Sequence, residues 1–491
     1  MPREIEFDSN FSKGLNTDVS LGVISKEELI EADNIDIMPR GGFRKRNNIE
    51  SINSSPYTEK PTQIFKFPMP DGTEQLLAVM NQTLYKINKT DGTKNQIQTL
   101  NNDRVGYFYL QDYLYFIDTG SEYYRYDGTS VEPVPPNSDE TNDLSKIRNC
   151  KFAIYHSPSM RVFYSGNIND PSAVYYSEYN DPTFVKATSS IYPTRNEGPV
   201  VALDVLMDAL IAFYKYSAQI WRGVDPAQDA IWEALPTNHG PINEDLTNLT
   251  TDSLSMVAEG GIMRLSPSII GVPMDTEVGG KYIRNISKDK VNNVLKNITD
   301  PDKTKAIFDP DESKYYIAYC DDGTGVNNNL LVFDWQQQAY SKYTDINVND
   351  FCKLIDGTLM IAGDNYIGKF GNNYTDSIAG KDNTINMNVL TPVYTFGSPI
   401  MNKVISRIFI LYKNYGPGST IDIDLLVDGD VKYSFAATGD DSNKEYLSLR
   451  EKTTWHGRDF QLRIKNEQYS PVEIYSIGFV FNKGETGGDV I

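Results

Sequence analysis

The feature that most constrains this chain's fold is a repeat of short strand-like runs between Thr62 and Gly371. Runs rich in Val, Ile, Tyr and Phe alternate with turns of Gly, Asp or Asn, in units of roughly 35–50 residues. The pairs Asp71-Gly72, Asp91-Gly92 and Asp127-Gly128 carry the signature of a tight hairpin, because such a turn needs positive φ. A repeat of hairpins at this period predicts the blades of a β-propeller.

The repeat units are delimited by their expected strands. In the first three units these strands are 63–67, 75–79 and 83–87; 105–109, 113–117 and 123–126; and 150–155, 161–165 and 173–177. In the later units they are 199–203, 209–213 and 219–223; 255–258 and 261–266; 304–308, 314–319, 329–334 and 339–343; and 351–355 and 367–370. We therefore predict an all-β fold with six to seven blades in residues 56–371, the seventh completed by an N-terminal strand.

A helix is expected between the fifth and sixth units. Ser287 stands at a capping position, and Val291, Val294, Leu295 and Ile298 recur at spacings of three and four residues. We interpret this apolar stripe as packing on the propeller rather than binding a partner.

The pattern changes after the propeller. Residues 372–383 are polar and are predicted to form a linker. The expected strands that follow are longer, at 387–396, 403–412, 419–427, 432–436, 459–465 and 472–481. Several of them alternate between apolar and polar residues, which predicts a separate antiparallel β-sandwich over residues 384–491.

The first 55 residues interrupt the β-pattern. Ser25 and Glu28 have capping-box spacing, which predicts a short helix over residues 26–33. Residues 34–37 alternate as a strand does, and Gly41-Gly42 supplies a turn. The basic side chains that follow are the candidates for docking to an acidic neighbour, and they are Arg40, Arg44, Lys45 and Arg46.

The order of short motifs in this segment resembles the N-terminal segment of phage tail proteins built on a β-propeller. The motifs are Gly14-Leu15-Asn16-Thr17, then Ala32-x-Asn34, then Gly42 followed by Arg44-x-Arg46. These tail proteins include the nozzle proteins that extend the portal and adaptor of short-tailed phages. Further along, Phe396-Gly397-Ser398-Pro399 with Asn402-Lys403 resembles the start of their C-terminal module. The resemblance implies a tail nozzle or tail-hub protein: a propeller, a short N-terminal helical segment and a C-terminal β-sandwich.

The same resemblance implies the partners and the location. It leads us to expect a homo-oligomeric ring around the tail axis that contacts portal, adaptor or other tail proteins. Double-stranded DNA would pass through the lumen during ejection without sequence-specific binding. The expected location is the virion tail, with assembly in the host cytoplasm.

The net charge of −20 bears on that expectation. It disfavours a protein that grips nucleic acid over a wide surface, because phosphate binding needs clustered Lys and Arg. An acidic wall would instead repel a duplex and let it slide. Solubility explains the same charge, so that alternative stays open.

Cysteine usage and hydropathy add further expectations. Cys150, Cys320 and Cys352 are far apart, which disfavours a disulfide framework or a zinc site and fits a reducing cytoplasm. The start of the chain lacks an apolar leader, and no run approaches the ~18 apolar residues of a membrane span. We expect neither a secretion signal nor a span.

The chain carries no recognisable catalytic motif. His156, His239 and His456 are widely spaced, without paired metal-ligand spacing or a nucleophile elbow. We therefore expect no enzymatic activity, catalytic residue, cofactor or metal. Two alternatives stay open: a tail module that binds host-surface glycan, and a glycosidase acting through two carboxylates. Against the second, Asp309, Asp311 and Glu312 lie in a turn, where Asp is favoured for backbone reasons.

Overall fold

The structure is a computed structural model that describes residues 4–8, 10–192, 198–229, 231–235, 237–251, 253–268, 283–414, 419–439 and 447–483. These residues form strands β1 to β43, a few single turns of 3-10 helix and one short α-helix. The chain is therefore all-β, as predicted. No helix in this part of the chain is long and apolar enough to cross a membrane.

The N-terminal segment contributes seven short strands. They are β1 (Glu4–Asp8), β2 (Gly14–Leu15), β3 (Glu28–Leu29), β4 (Glu31–Asp33), β5 (Ile35–Ile37), β6 (Phe43–Lys45) and β7 (Ile49–Ser51). The turn expected at Gly41-Gly42 is present between β5 and β6, with Gly41 at a φ of 88°.

Consecutive antiparallel sheets follow, each built from strands that are neighbours in the chain. The first sheet is β8 (Pro61–Pro68), β9 (Glu74–Met80), β10 (Thr83–Ile87) and β11 (Lys94–Thr99). The second is β12 (Gly106–Leu110), β13 (Tyr113–Asp118), β14 (Glu122–Tyr126) and β15 (Val131–Pro133). The third is β16 (Phe152–His156), β17 (Arg161–Ser165), β18 (Val174–Tyr176) and β19 (Ser190–Ile191).

The same plan continues in the next sheets. The fourth is β20 (Ala202–Leu206), β21 (Ala209–Tyr214), β22 (Ser217–Trp221) and β23 (Glu233–Ala234). The fifth is β24 (Thr247–Leu249), β25 (Leu254–Ala258), β26 (Gly261–Leu265) and β27 (Ile283–Asn285). The sixth is β28 (Lys305–Asp309), β29 (Lys314–Tyr319), β30 (Asn329–Asp334) and β31 (Ala339–Thr344). The seventh contains β32 (Asp350–Lys353), β33 (Leu359–Ala362) and β34 (Ile367–Phe370).

The first strands of successive sheets lie side by side around a central cavity. Between β8 and β12 the rings of Phe65 and Tyr107 stack with centroids 4.4 Å apart. Strand β32 of the seventh sheet contacts β8 of the first, so the series closes on itself. Apolar clusters fill the spaces between neighbouring sheets. This is the arrangement of a β-propeller.

The seventh sheet is completed from the start of the chain. Strand β7 pairs antiparallel with β34, with Ile49 opposite Phe370. The expected contribution of an N-terminal strand is thus confirmed. Residues 372–383 do not form the predicted linker, because β35 (Thr375–Ile378) and β36 (Lys381–Thr384) form a hairpin that adds to β7.

The C-terminal strands form two sheets with the N-terminal ones. One contains β41 (Leu447–Gly457), β38 (Lys403–Asn414), β43 (Val472–Lys483), β6 and β5, with β1 also on β43. The other contains β4, β37 (Met387–Leu390), β42 (Phe460–Asn466), β39 (Thr420–Val427) and β40 (Asp430–Thr438). Because β4 also pairs with β31, hydrogen bonding runs from the sixth sheet into these strands. The prediction of a separate unit is therefore wrong.

The predicted helix over residues 26–33 does not form. Ser25 N–H does donate to Glu28 Oε2 at 3.0 Å, so the expected contact is present, but it closes a turn. The next N–H groups bond to other strands, as when Ile30 N–H donates to the Leu390 carbonyl at 2.9 Å. Leu29 and Ala32 are buried by these strands rather than by a helical stripe. Tertiary pairing therefore outweighs the local capping signal.

The second predicted helix exists but is short. Helix α1 covers Asn292–Lys296, and Val291 and Leu295 are buried against the core, which confirms the packing role. Its first N–H groups are capped by Asp18, which accepts from Asn292 N–H at 2.9 Å and Asn293 N–H at 2.8 Å. Ser287 is not the cap, since its hydroxyl donates instead to the Asn292 side chain.

Candidate functional site

The motif residues of the N-terminal segment meet where the propeller joins the two C-terminal sheets. We call this region the N-terminal junction, and its motif residues are Gly14, Leu15, Asn16, Thr17, Asn34 and Gly42. Leu15 is buried in the largest apolar core, which both parts of the molecule share. The remaining five hold backbone or polar contacts.

The two glycines of the junction are required by close backbone approach. A Cβ on Gly14 would lie 2.3 Å from the Tyr340 carbonyl oxygen, and its φ is 61°. A Cβ on Gly42 would lie 2.4 Å from the Ile474 carbonyl oxygen. Side chains at these positions would therefore separate β2 from β31 and β6 from β43.

Asn16 and Thr17 fix the segment to the loop before α1. The Asn16 amide donates to the Asp289 carbonyl at 3.0 Å, and its oxygen accepts from Asp18 N–H at 3.0 Å. Thr17 N–H donates to the Lys290 carbonyl at 2.7 Å. The motif therefore presents Asp18 to the helix as a cap.

Asn34 connects three parts of the chain. Its side-chain nitrogen donates to Thr344 Oγ1 in the sixth sheet and to the Asn386 carbonyl, both at 2.8 Å. Its side-chain oxygen accepts from Arg46 Nε at 2.8 Å and from Thr344 N–H at 3.0 Å. Its φ of 57° is a conformation that Asn tolerates better than most residues.

Two of the four basic docking candidates are buried. The Arg46 guanidinium, 1% exposed, pairs with both carboxylate oxygens of Asp376 at 2.9 and 2.6 Å. Lys45 Nζ donates to Asn466 Oδ1 at 2.8 Å and to the Gln468 carbonyl at 2.5 Å. Burial, with repulsion from Arg46, lowers the pKa of Lys45 to about 8. The prediction that Lys45 and Arg46 dock to a neighbour is therefore wrong, because both hold the chain's own strands together.

Arg40 and Arg44 are exposed, and docking stays a prediction for these two. Arg44 lies 3.7 Å from Asp36, a buried carboxylate that Lys314 contacts at 2.8 Å. Burial opposes ionisation of Asp36, but Lys314, Tyr343 and Arg44 outweigh it and lower its pKa.

Both arginines line a groove of about 930 Å³ between the sixth sheet and the C-terminal strands. We call it the arginine groove. Lys314, Lys413, Leu411 and Tyr475 line it with them, and Asp36, Glu312 and Asp334 supply negative charge. The groove is therefore one place on an acidic protein where cationic and apolar side chains lie together.

A second cavity, of about 660 Å³, lies among the first five sheets around the propeller axis. Arg104, which precedes β12, extends to Asp245 before β24 at 3.0 Å and to Asp350 at the start of β32 at 3.9 Å. Lys305 also bonds to Asp245, and Asp350 accepts from Ile64 N–H at 3.0 Å. We call these four charged residues the axial network. It spans the middle of the ring and links five of its sheets.

Burial disfavours the charged form of all three carboxylates near the axis, but nearby groups offset it to different extents. For Asp245 the effect of burial is outweighed by Arg104 and Lys305, so its pKa is lowered overall. For Asp350 burial prevails over the opposing effect of Arg104, so its pKa is raised. Asp204 on β20, whose carboxylate bonds to Thr247, has a pKa that burial raises to about 6. No part of the axial network was predicted, because its members are far apart in sequence and follow no local motif.

The residues considered for catalysis have structural contacts. His156 is buried, with Nδ1 2.8 Å from Ser159 Oγ and Nε2 3.1 Å from the Asp208 carbonyl. Asp309 and Asp311 both pair with Lys353, at 2.5 and 2.8 Å. The three cysteines are buried and unbridged. Among the described residues, no group of three or more His, Cys, Asp or Glu side chains is placed to hold a metal ion.

Comparison with known proteins identifies no family. No family model matches the chain, and no curated protein matches it. Solved structures with a similar course of the chain include a streptogramin B lyase, 12% identical over 68% of this chain and 98% of that one, with a TM-score of 0.41. YCF48 from Cyanidioschyzon merolae is 10% identical over 66% and 98%, with a TM-score of 0.41.

The computationally designed protein Ika8 is a further example. It is 6% identical over 65% of this chain and 99% of its own, with a TM-score of 0.38. Likenesses at this level carry no functional argument. The consecutive antiparallel sheets and the contact of β32 with β8 identify the propeller.

Proposed function

We propose that this chain is a structural component of a phage tail, a nozzle or tail-hub protein that forms an oligomeric ring around the tail axis. In this proposal the ring extends the portal and adaptor and conducts DNA during ejection. The protein would be part of the virion tail and would assemble in the host cytoplasm.

The observation that carries the proposal is the position of the resembling motifs. Gly14 and Gly42 lie where a Cβ would meet a neighbouring backbone, and Asn16 and Asn34 hydrogen-bond to distant segments, all at the junction of propeller and C-terminal sheets. The match therefore supports a shared architecture with the tail propeller proteins.

The proposal also includes the number of blades and the nature of the C-terminal sheets. The seven consecutive sheets of the described residues are interpreted as seven blades, with β7 closing the last one. The two C-terminal sheets, which enclose one apolar core, are interpreted as a β-sandwich that includes N-terminal strands.

The axial network bears on where DNA would pass. Because Arg104, Asp245 and Asp350 span the propeller axis, the hole of a single propeller is a poor path for a duplex. We propose that DNA instead passes through the lumen that several subunits enclose. The net charge of −20 would keep the duplex from adhering to that wall.

Arg40 and Arg44 in the arginine groove are the proposed contact with an acidic neighbour in the tail. Cationic side chains in a partly enclosed groove attract a carboxylate-bearing segment, and Leu411 and Tyr475 add apolar contact. Repeated around a ring, even a weak contact of this kind is multiplied by the number of subunits.

Negative-stain electron microscopy tests the proposal. The purified chain, alone and mixed with tail adaptor complexes, should give rings or added density on the tail axis. The double variant Arg40→Glu, Arg44→Glu should lose docking to the adaptor while remaining folded. Lys215→Glu, Arg222→Glu makes the same change in charge at exposed positions elsewhere and should dock as the parent does. A chain that stays monomeric and never docks would contradict the proposal.

A further inference from the structure

A groove of about 720 Å³ lies beside β7, where the hairpin β35–β36 meets the loop before β43. Its volume falls within the range of about 300–1,000 Å³ that is typical of small-molecule sites. We call it the tyrosine groove. Its lining includes the polar and aromatic residues Asn48, Glu50, Tyr374, Ser377, Asp382 and Tyr469. None of them belongs to the arginine groove or the axial network.

Two tyrosines give the groove its apolar surface. Tyr469 is 64% exposed on the loop before β43, so its ring is accessible to a ligand. Tyr374 is half-buried between β34 and β35, and burial is the main cause of its raised pKa. A tyrosine offers a flat apolar face together with a hydroxyl, which suits ligands that are apolar on one side and polar at the edge.

The polar side of the groove is held in place by the protein itself. Glu50 accepts hydrogen bonds at one carboxylate oxygen from Asn48 Nδ2 at 3.4 Å and from Asn373 Nδ2 at 3.3 Å. Asn48 is 1% exposed, and its own oxygen accepts from Asn373 N–H at 2.9 Å. The carboxylate is thus oriented before a ligand arrives, which reduces the entropy lost on binding.

The charges of the lining residues narrow the class of ligand. Glu50 and Asp382 are acidic, and no Lys, Arg or His is among the described lining residues. An anionic ligand such as a phosphate would meet repulsion without a compensating cation. The groove instead offers carboxylates that accept from hydroxyl groups, together with hydroxyl and amide groups that donate to them.

We propose that the tyrosine groove binds a neutral saccharide. The hydroxyl groups of a sugar ring donate to Glu50 and Asp382, and the Ser377 hydroxyl supplies a further partner. The C–H face of the ring packs on Tyr469. The groove gives the chain a binding activity that is independent of any role in a tail.

A glycan array tests this assignment with the full chain. The probes are immobilised neutral oligosaccharides and their sialylated counterparts, and each retained glycan is then titrated by calorimetry. The parent chain should retain neutral glycans and not prefer the sialylated ones. Tyr469→Ala should weaken binding at least about tenfold, Tyr469→Phe should preserve it, and Asp382→Asn should weaken it several-fold.

Tyr179→Ala is the matched control, because Tyr179 is 62% exposed on the third sheet's side of the molecule, away from the groove. It should bind glycan as the parent does. Thermal unfolding checks that the exposed substitutions leave the fold intact. The assignment is overturned if the parent retains no neutral glycan, or if Tyr469→Ala binds as tightly as Tyr179→Ala.

Discussion

Arg46 and Asp376 lie 330 residues apart in the chain and form a two-bond ion pair in the interior, at 2.9 and 2.6 Å. The carboxylate also accepts from Ile49 N–H at 2.7 Å, so the pair positions the strand that completes the seventh sheet. An ion pair with both members buried depends on each of them, because removing one leaves the other as an unpaired charge.

Asp376→Asn should therefore be strongly destabilising. We expect the free energy of unfolding to fall by about 3–5 kcal/mol, as is typical when one partner of a buried pair is lost. Arg46→Lys should also destabilise, since an ammonium cannot form the paired contact. Urea denaturation measures both. Asp430→Asn removes an exposed partner of Lys432 and should change stability by less than about 1 kcal/mol. Equal effects at Asp376 and Asp430 would contradict the assignment.

Gly14→Ala tests the close approach of β2 to β31. Its Cβ would lie 2.3 Å from the Tyr340 carbonyl oxygen, so strands must move apart in addition to adopting a φ of 61° with a side chain. Gly72→Ala is the matched control, because Gly72 has a φ of 82° but nothing within 4 Å of a Cβ. We expect the control to lose about 1 kcal/mol and Gly14→Ala about 1–3 kcal/mol more. Similar melting temperatures for the two variants would show that the contact has no role.

Because of Lys45, the free energy of unfolding should increase with pH in the alkaline range. Its pKa is about 8 in the folded chain against an ordinary value of 10.5, so the unfolded chain binds more protons between these values. Stability should rise as pH increases through this range and be lowest, as far as Lys45 is concerned, below pH 8. In Lys45→Gln the rise between pH 8 and 10 should shrink by about 1–3 kcal/mol. The measurement is urea denaturation of both proteins at each pH, and parallel curves would refute the assignment.

Asp204 should make the stability of the fold decrease, rather than increase, as pH rises through the acid range. Its pKa of about 6 exceeds the ordinary value of 3.8, so the folded chain binds more protons between these values. The contribution of this carboxyl to stability is complete below about pH 4 and is lost as pH rises through 6. Relative to the parent, Asp204→Asn should become more stable by about 1–3 kcal/mol between pH 4 and 7. A constant difference between the two proteins over this range would exclude the shift.

Much of the propeller could be predicted because its signals are local. The turns at Asp71-Gly72, Asp91-Gly92 and Asp127-Gly128 separate paired strands in the structure, as their residue types predict. Apolar runs in the early units also coincide with the strands found there. Turn chemistry and strand composition act over a few residues, so a single sequence is sufficient to show them.

The contacts within the N-terminal junction could not be predicted, because the residues that form them are distant from one another in sequence. Lys45 and Arg46 have the composition of a surface cluster, and only Asn466 and Asp376 make them interior residues. The polarity of residues 372–383 suggested a linker, yet an edge strand such as β36 is polar because its side chains are exposed. Residues 26–33 carry a helix signal that distant strands override.

The pairing of early strands with late ones constrains when this part of the molecule can mature during synthesis. Strand β1 pairs with β43, with Glu4 opposite Phe481, and Glu31 pairs with Arg463 at 3.0 Å. Strands β1 and β4 therefore cannot complete their pairing until β43 and β37, far later in the chain, have been synthesised. Contacts of such sequence separation form slowly, and unpaired strands invite aggregation in the meantime. A nascent chain that stops before β43 would lack the finished junction, and with it Tyr475 in the lining of the arginine groove.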